Sequence, residues 1–260
     1  MEQKIDMIVN RLPAKTWNRL SVNQAEIKNL EADGWQRPAV TVRYPKDEKP
    51  IVRELTTEQE SSVYKKMEQI RTGMGAEVSR LKPGDATDIC VEAVEEGGES
   101  DERRERMRRD EVVLVLDYPD RKNCFQDVKI YAKAGESATV WTVVSSKKDA
   151  EGKAVLRTLL QAEENAKIRL VQVDLLGDRM ELFNDIGVES GKQAQIEVVQ
   201  LFLGAEKIWA GSYAALTGEK SNLQLDAGYY REKQQLLDMN YVAQHIGKKT
   251  ESNMNVGGVL

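Results

Sequence analysis

The sequence contains one histidine and two cysteines, the residue types best suited to ligate iron or zinc. His245 lies in the stretch 241–247, and Cys90 and Cys124 are 34 positions apart with no C-x-x-C pair. A closed zinc site takes about four donors, and iron–sulfur clusters are held by several grouped thiolates. We therefore expect both cysteines to be structural thiols and the chain to bind no cofactor by itself. His245 is the one candidate metal ligand, and without visible partners it is expected on an outer face near a turn.

Aspartates recur in the second half of the chain and could indicate an enzyme that acts on carbohydrate. They are Asp174, Asp178, Asp185, Asp226 and Asp238. Glycosidases need two carboxyl groups that flank one bond, whereas these aspartates mostly lie near Gly or Asn, as turn residues do. A carbohydrate-acting enzyme is therefore kept only as an alternative. The chain has no G-x-x-x-x-G-K-[ST] loop, so we do not expect it to be an ATPase.

The composition excludes several other classes. Hydrophobic residues make up 40% and charged residues 31%, the balance of a globular protein. The net charge of −5 lacks the basic footprint of a nucleic-acid-binding protein. No apolar run approaches the ~20 residues of a membrane helix, and residues 1–6 do not begin a signal peptide. Two cysteines are too few for a disulfide framework. We predict a cytoplasmic protein that binds neither nucleic acid nor membrane.

The first part of the chain is predicted to be helical or mixed. A first helix is predicted within residues 3–30, and a second is predicted from near Thr57, which with Glu60 has the spacing of a capping box. Residues 39–44 form a short predicted strand between them. The apolar positions that support the two helices are Ile5, Ile8, Val9 and Leu12 in the first and Val63, Met67 and Ile70 in the second.

Residues 92–110 form a run of acidic and then basic side chains, interrupted at Gly97 and Gly98. Mixed-sign blocks usually stay solvated, so we interpret the run as a linker; a partner-docking arm is the alternative. The predicted organisation is therefore an N-terminal region over 1–95, a charged linker over 96–110 and a core over 111–260.

A repeat of about 28 residues predicts the architecture of that core. Four similar stretches begin at residues 138, 166, 194 and 221, spaced 28, 28 and 27 apart, and a weaker one follows after 29 at Thr250. The units alternate apolar and polar residues and are punctuated by Gly191, Gly218 and Gly247, which indicates strands and turns. Strand units of this length stack as coils of a parallel β-helix, and the period favours the right-handed form over the hexapeptide left-handed one. One internal ladder is predicted to contain Val140, Ile168, Ile196 and Leu223.

Several of these stretches resemble a known family. Residues 12–23 resemble the N-terminal signature of the SufD-like branch of the SufB/SufD iron–sulfur cluster assembly proteins, and residues 162–187, 200–204 and 237–241 resemble the family core. The resemblance implies a right-handed parallel β-helix flanked by helical segments. It also implies a non-catalytic scaffold that assembles with the ABC-type ATPase SufC and a SufB-type protein, with the iron–sulfur cluster formed at the level of the complex.

Two departures from the family pattern lead to further expectations. The sequence ends within a coil, at residues 256–260, whereas the family continues into further coils and a helical segment that docks the ATPase. We therefore predict an incomplete member whose last coil is uncapped and prone to pair with a second copy through its edge. A stand-alone self-association module is the third alternative. One family histidine aligns near Val256, so that ligand is expected to be missing.

Overall fold

The computed structural model describes residues 4–13, 24–43, 51–93, 111–232 and 234–260, and strands dominate them. In chain order the strands are β1 Lys4–Val9, β2 Ala25–Glu31, β3 Ala39–Arg43, β4 Ile51–Thr56, β5 Thr87–Ala93, β6 Glu111–Asp117, β7 Lys122–Ala132, β8 Ser137–Ser145, β9 Glu151–Ala162, β10 Lys167–Leu175, β11 Arg179–Ser190, β12 Gln195–Phe202, β13 Lys207–Leu216, β14 Asn222–Tyr230, β15 Leu236–His245 and β16 Glu251–Val259. Two short helices, α1 Ser62–Met67 and α2 Ala76–Ser79, lie between β4 and β5.

The chain winds back and forth between two seven-stranded sheets. Sheet 1 has the order β3-β6-β8-β10-β12-β14-β16, and sheet 2 has the order β4-β5-β7-β9-β11-β13-β15. Neighbours are parallel except at the antiparallel ends β3–β6 and β4–β5. Residues 111–259 complete about five turns, so the predicted parallel β-helix is confirmed. The right-handed sense stays a prediction, in line with the usual hand of parallel crossovers.

The inner faces of the two sheets form the main apolar core. Three residues of the predicted ladder are in register, and the first, Val140, is two positions out of register. Ile168, Ile196 and Leu223 lie opposite one another on β10, β12 and β14. Val140 pairs with Leu170 instead. The β8–β9 loop holds 146–150, two residues more than the β10–β11 loop at 176–178, so this coil is longer than the alignment assumed. Because side chains alternate with a period of two, the slip leaves Val140 buried on the inner face.

Polar side chains also cross the interior. Gln172 donates to the Thr158 hydroxyl at 3.0 Å, Gln200 donates to Gln172 at 3.0 Å, and the Tyr241 hydroxyl donates to Gln200 at 2.8 Å. The chain of hydrogen bonds runs from sheet 2 to two neighbouring strands of sheet 1 and back to sheet 2. Because each amide must face its partner on the next coil, this chain favours one register of β10 against β12.

The turns stack as regularly as the strands. At one turn of each coil a residue adopts a left-handed conformation with φ between 55° and 78°. Its N–H, in all but the last of these coils, donates to a carbonyl of the following coil at 2.8–2.9 Å. These residues are Gly135, Asn165, Gln193, Lys220 and Lys249. The predicted turn glycines lie beside them, and Gly218 approaches so closely that a Cβ there would lie 2.0 Å from the carbonyl carbon of Gly191.

The first predicted helix is wrong. Residues 4–9 and 25–31 form the antiparallel pair β1–β2, because buried Met7 and Val9 follow the two-residue period of a strand. The second helix exists but begins at Ser62, with Ser61 as an N-cap that makes no side-chain bond. Glu60 does not form the capping box, since its carboxylate turns to Lys129 instead. The predicted strand at 39–44 is confirmed as β3, and the second helix's predicted apolar stripe lies against buried Leu159 and Tyr131.

The N-terminal layer, defined here as residues 4–13, 24–37 and 57–86, covers the outer face of sheet 2. Outward aromatic residues of this sheet, with Phe183 and Trp209 stacked at 4.8 Å, pack against buried apolar residues of the layer. Most of the charged run at 92–110 lies outside the described residues. Strand β5, which precedes most of that run, already pairs in parallel with β7 of the solenoid. The domain boundaries at residues 95 and 110 stay a prediction.

Candidate functional site

The densest polar site in the described residues lies between the solenoid and the N-terminal layer. Outward positions of β7 and β9 carry charged residues in otherwise apolar strands, and Asp127 is directly opposite Arg157 in the register. The layer closes over them and adds charges of its own. We call this the buried charge cluster, and its members are Glu60, Glu68, Lys82, Asp88, Asp127, Lys129 and Arg157.

Lys129 occupies the centre of one half of the cluster. Its Nζ lies 2.6 Å from Oε1 of Glu60, 2.6 Å from Oε1 of Glu68 and 2.8 Å from Oδ2 of Asp88, and its side chain is fully buried. These three carboxylates are the described residues grouped closely enough to hold a metal ion. The ammonium group already takes that position, so the site has a cation that is covalently part of the chain.

The other half of the cluster is centred on Asp127. Arg157 binds it with two donors, Nε to Oδ1 and Nη2 to Oδ2, both at 2.6 Å, and Lys82 Nζ lies 2.9 Å from Oδ2. Arg157 also reaches Glu68 at 2.7 Å, and Lys82 reaches Asp88 at 2.7 Å. Because Glu68 and Lys82 belong to the N-terminal layer, these ion pairs attach the layer to the solenoid.

The cluster holds four carboxylates against three cations, and burial and ion pairing together shift the pKa of several members. Burial raises the pKa of Glu60, and a hydrogen bond with Asp88 raises it further against the opposing effect of Lys129. Burial also acts to raise the pKa of Glu68, but Arg157 and Lys129 lower it to about 2. Burial acts to lower the pKa of Lys129, yet Asp88 and the glutamates raise it. Within the cluster the pKa of Glu60 is therefore raised, while that of Glu68 is lowered.

Asp185 on β11 anchors a second contact of the layer. Its Oδ1 accepts the Met74 N–H at 2.8 Å, while its Oδ2 is buried without a hydrogen bond. Burial raises the pKa of Asp185 to about 7, partly opposed by the Thr72 side chain, the Met74 N–H and Arg157. Beside it, Gly73 donates to the Ile186 carbonyl and approaches the backbone of β13 so closely that a Cβ would lie 2.1 Å from an amide nitrogen. The backbone itself is thus part of the docking contact.

The structure does not join His245 to a set of metal ligands. The side chain is exposed at the end of β15, and its ring nitrogens lie 2.8 Å from the Thr250 hydroxyl and 3.0 Å from the Ser252 hydroxyl. Hydroxyl groups of this kind are poor iron or zinc ligands compared with thiolates, imidazoles and carboxylates. His245 therefore lies on the outside near a turn, with two hydroxyl groups as its hydrogen-bond partners.

The two cysteines are free and fully buried, and they lie in different apolar clusters. Cys124 faces the solenoid interior, whereas Cys90 lies under the N-terminal layer beside Tyr64. Burial raises the pKa of Cys90 to about 12 and that of Cys124 to about 11. Both therefore remain protonated thiols at neutral pH, a form that is neither a good nucleophile nor a good ligand.

The aspartates considered as a carbohydrate site are dispersed. Asp174 lies inside the solenoid, where burial raises its pKa to about 6 and the Leu176 N–H donates to it. Asp226 is on the outer face of sheet 1, where Asn255 and Gln224 donate to its carboxylate and lower its pKa. Asp185 and Asp238 face the N-terminal layer, and Asp178 is exposed in a turn. No facing pair of the kind a glycosidase needs forms among them.

Sequence reasoning missed the buried charge cluster. Its signal was present as a charge inside each of several apolar runs: Asp88 before 89–91, Asp127 and Lys129 around Val128, and Arg157 within 154–160. A charge at an outward strand position is usually solvated, so the sequence alone does not reveal the layer that covers it. Glu60 was noticed, but for a role in helix capping.

These features define a parallel β-solenoid protein in which buried ion pairs attach a covering layer. Compared with known families, residues 116–260 match the one described as SUF system FeS cluster assembly, SufBD core domain. The match spans more than half of the chain, which therefore belongs to this family. Comparisons with curated proteins and with solved structures find no match. No helix in the described ranges is long and apolar enough to span a membrane.

Removing the central cation of the cluster should destabilise the protein strongly. Lys129→Met leaves three carboxylates, two of them fully buried, without their ammonium partner, a change expected to cost about 3–5 kcal/mol. Lys192→Met is the matched control, since Lys192 makes an equally short ion pair with Glu164, 2.6 Å, but on the surface. The free energies of unfolding follow from urea titrations. Similar values for the two variants would contradict the role given to Lys129.

Asp185 is expected to make the protein less stable as the pH rises. Its pKa is 3.8 in an unfolded chain and about 7 when folded, so the folded state binds the proton more tightly. Its contribution is therefore complete below about pH 4 and decreases toward pH 7 by up to about 4 kcal/mol. Asp185→Asn should flatten this part of the stability profile, measured by urea unfolding between pH 4 and 8. Asp178→Asn, at an exposed turn, should not, and an unchanged slope in Asp185→Asn would refute the assignment.

Proposed function

We propose that this chain is a non-catalytic, SufD-like scaffold of the SUF machinery. In this proposal it assembles with an ABC-type ATPase of the SufC kind and with a SufB-type protein, in the cytoplasm. Membership of the SufBD family supports the role in iron–sulfur cluster assembly, and residues 12–23 support the SufD-like branch. Protonated buried thiols and dispersed aspartates support a scaffold over an enzyme, and free cysteines suit a reducing compartment.

The observation that carries the proposal is the outermost coil of the solenoid. Among the described strands, β15 pairs only with β13 and β16 only with β14, so each leaves one edge unpaired. Along β16 the inward-facing Val256 is 49% exposed, and Val259 is 60% exposed. Unpaired strand edges bind further strands through their main-chain groups. We therefore propose that the SufB-type protein adds its own strands at this edge.

Co-purification tests the assembly. The tagged chain, co-expressed with the ATPase and a SufB-type protein, is expected to retain both. Val256→Asp places a charge on the edge coil and should reduce recovery of the SufB-type protein by about tenfold or more. Lys147→Asp, in the exposed β8–β9 loop, is the control for an added negative charge and should retain it. Recovery of neither partner by the unchanged chain would overturn the scaffold proposal, and equal loss in both variants would overturn the role of the edge.

The purified chain alone is expected to hold no stoichiometric cluster. Its thiols are buried and protonated, and His245 has no thiolate or carboxylate beside it among its hydrogen-bond partners. Anaerobic reconstitution, desalting and absorbance in the thiolate-to-iron region provide the measurement. A cluster that survives desalting and disappears with Cys90→Ser or Cys124→Ser would show that this chain binds it directly.

Self-association through the same edge is the second candidate function, because an unpaired edge does not distinguish a relative from a second copy. The carbohydrate-acting enzyme has no such support, since the structure separates its carboxylates. In the co-purification experiment, self-association predicts a tagged and an untagged copy together without either SUF partner.

A further inference from the structure

The outer face of sheet 1 has a polar half and an apolar half. Outward residues near the strand starts are charged or polar, such as Arg169 and Glu197, whereas those further along are mostly apolar. The register aligns the apolar ones mainly across β6, β8, β10 and β12, and the exceptions in these rows are Asp117, Ser145, Asp226 and Gly228. This apolar strip consists of Val113, Val115, Trp141, Val143, Val171, Val173, Leu175, Val199, Leu201, Leu203 and Tyr230.

The described residues leave most of this strip exposed or half-buried, although Val171 at its centre is buried. Leu175, Leu203 and Tyr230 are 49%, 46% and 49% exposed, and Leu201 is 36% exposed. The side chains of the strip belong to none of the buried apolar clusters of the described residues. By contrast, the equivalent face of sheet 2 lies under the N-terminal layer. An aligned apolar face of this kind on a globular protein usually marks a binding surface.

The charges beside the strip are arranged so that they could pair with the same residues of a second copy of the chain. Arg169 on β10 lies opposite Glu197 on β12, and the two pair at 3.4 Å while remaining 52% and 41% exposed. A two-fold axis that runs along the strands midway between β10 and β12 would place each strand over the other strand of a second copy. Arg169 would then face Glu197 of the second copy, and Val173 would face the second copy's Leu201.

We propose that the outer face of sheet 1 docks a second copy of this chain about that two-fold axis. The strip and its flanking charges cover about 24 Å across five strands and about 20 Å along them, from the usual strand and residue spacings. Two such faces would bury about 1,000 Å², at the lower limit for a specific interface. The expected product is a reversible dimer, with apolar sheet faces in contact and reciprocal ion pairs at one side. This surface is the outer face of sheet 1, whereas the SufB-type protein is proposed to pair with the main-chain groups of the strand edge that borders it at β16.

Sedimentation of the purified chain over a hundredfold concentration range tests the dimer. The unchanged protein should shift reversibly between monomer and dimer, and Leu203→Glu should weaken dimerisation at least about tenfold, because it places an unpaired carboxylate in the interface. Val256→Glu, an equally drastic change on the edge strand β16 but at a position that faces the solenoid interior, should leave it unchanged. A monomer throughout, or a dimer that is lost with Val256→Glu but kept with Leu203→Glu, would overturn the proposal.

A mixing experiment tests the two-fold geometry directly. Arg169→Glu and Glu197→Arg should each dimerise at least about tenfold more weakly than the unchanged chain, since each places like charges opposite one another. An equimolar mixture of the two variants restores both ion pairs across the axis, so a mixed dimer should form with nearly the original affinity. A purely intramolecular effect of the substitutions could not be restored by mixing. Absence of the mixed dimer would therefore refute the axis between β10 and β12.

Discussion

The stacking of each coil on the one before it, with backbone hydrogen bonds between them, is the constraint on which the rest of the structure depends. Parallel strands about 4.8 Å apart satisfy their N–H and C=O groups only if successive coils stay in register. Turns must then stack as well, which explains why Asn165, Gln193, Lys220 and Lys249 all adopt the left-handed conformation. It also explains why Gly218 sits against Gly191, where no side chain fits. The coil that contains β8 and β9 is two residues longer, and the extra residues lie in the loop at 146–150, where they do not change the pairing of the strands.

The stacked coils produce two outer faces, and the N-terminal layer covers the one on sheet 2. On sheet 2, charges such as Asp127, Lys129 and Arg157 are covered, and a buried charge is tolerable only with partners. Some of those partners lie on the sheet itself, since Arg157 pairs with Asp127. The others come from the N-terminal layer, so the layer can dock only where Glu60, Glu68 and Lys82 meet these charges. A buried ion pair is a weak source of net stability but a strong source of specificity, because a displaced layer would leave several charges unpaired. The close approach of Gly73 to β13 adds a steric condition to the electrostatic one.

The difference between local and long-range information explains what the sequence could predict. The repeat predicted the parallel solenoid, the turn glycines and three members of an inner ladder. Equivalent positions of stacked coils have the same surroundings, so similar residues recur once per coil. It misplaced Val140 because a loop can lengthen without changing which face a residue occupies. The helix predicted within residues 3–30 was wrong because Ile5, Val9 and their neighbours fit a strand period equally well. The buried charge cluster brings together residues as far apart in the sequence as Glu60 and Arg157, and no local sequence pattern indicates that they lie in one site. Its members therefore resembled ordinary surface charges.

Thiols and carboxylates do the chemistry of cluster assembly, yet here the structure places both cysteines and most of the strongly shifted carboxylates in its interior. A buried thiol held protonated cannot exchange a metal with solvent, and a carboxylate paired with Lys129 or Arg157 cannot accept one. The surfaces left available are instead a strand edge and an apolar sheet face, which bind polypeptide. This division suits the scaffold role proposed above, because a scaffold benefits from a rigid body with inert interior groups and an available strand edge. The same physical constraint, coils stacked in register, provides both the rigidity and the edge.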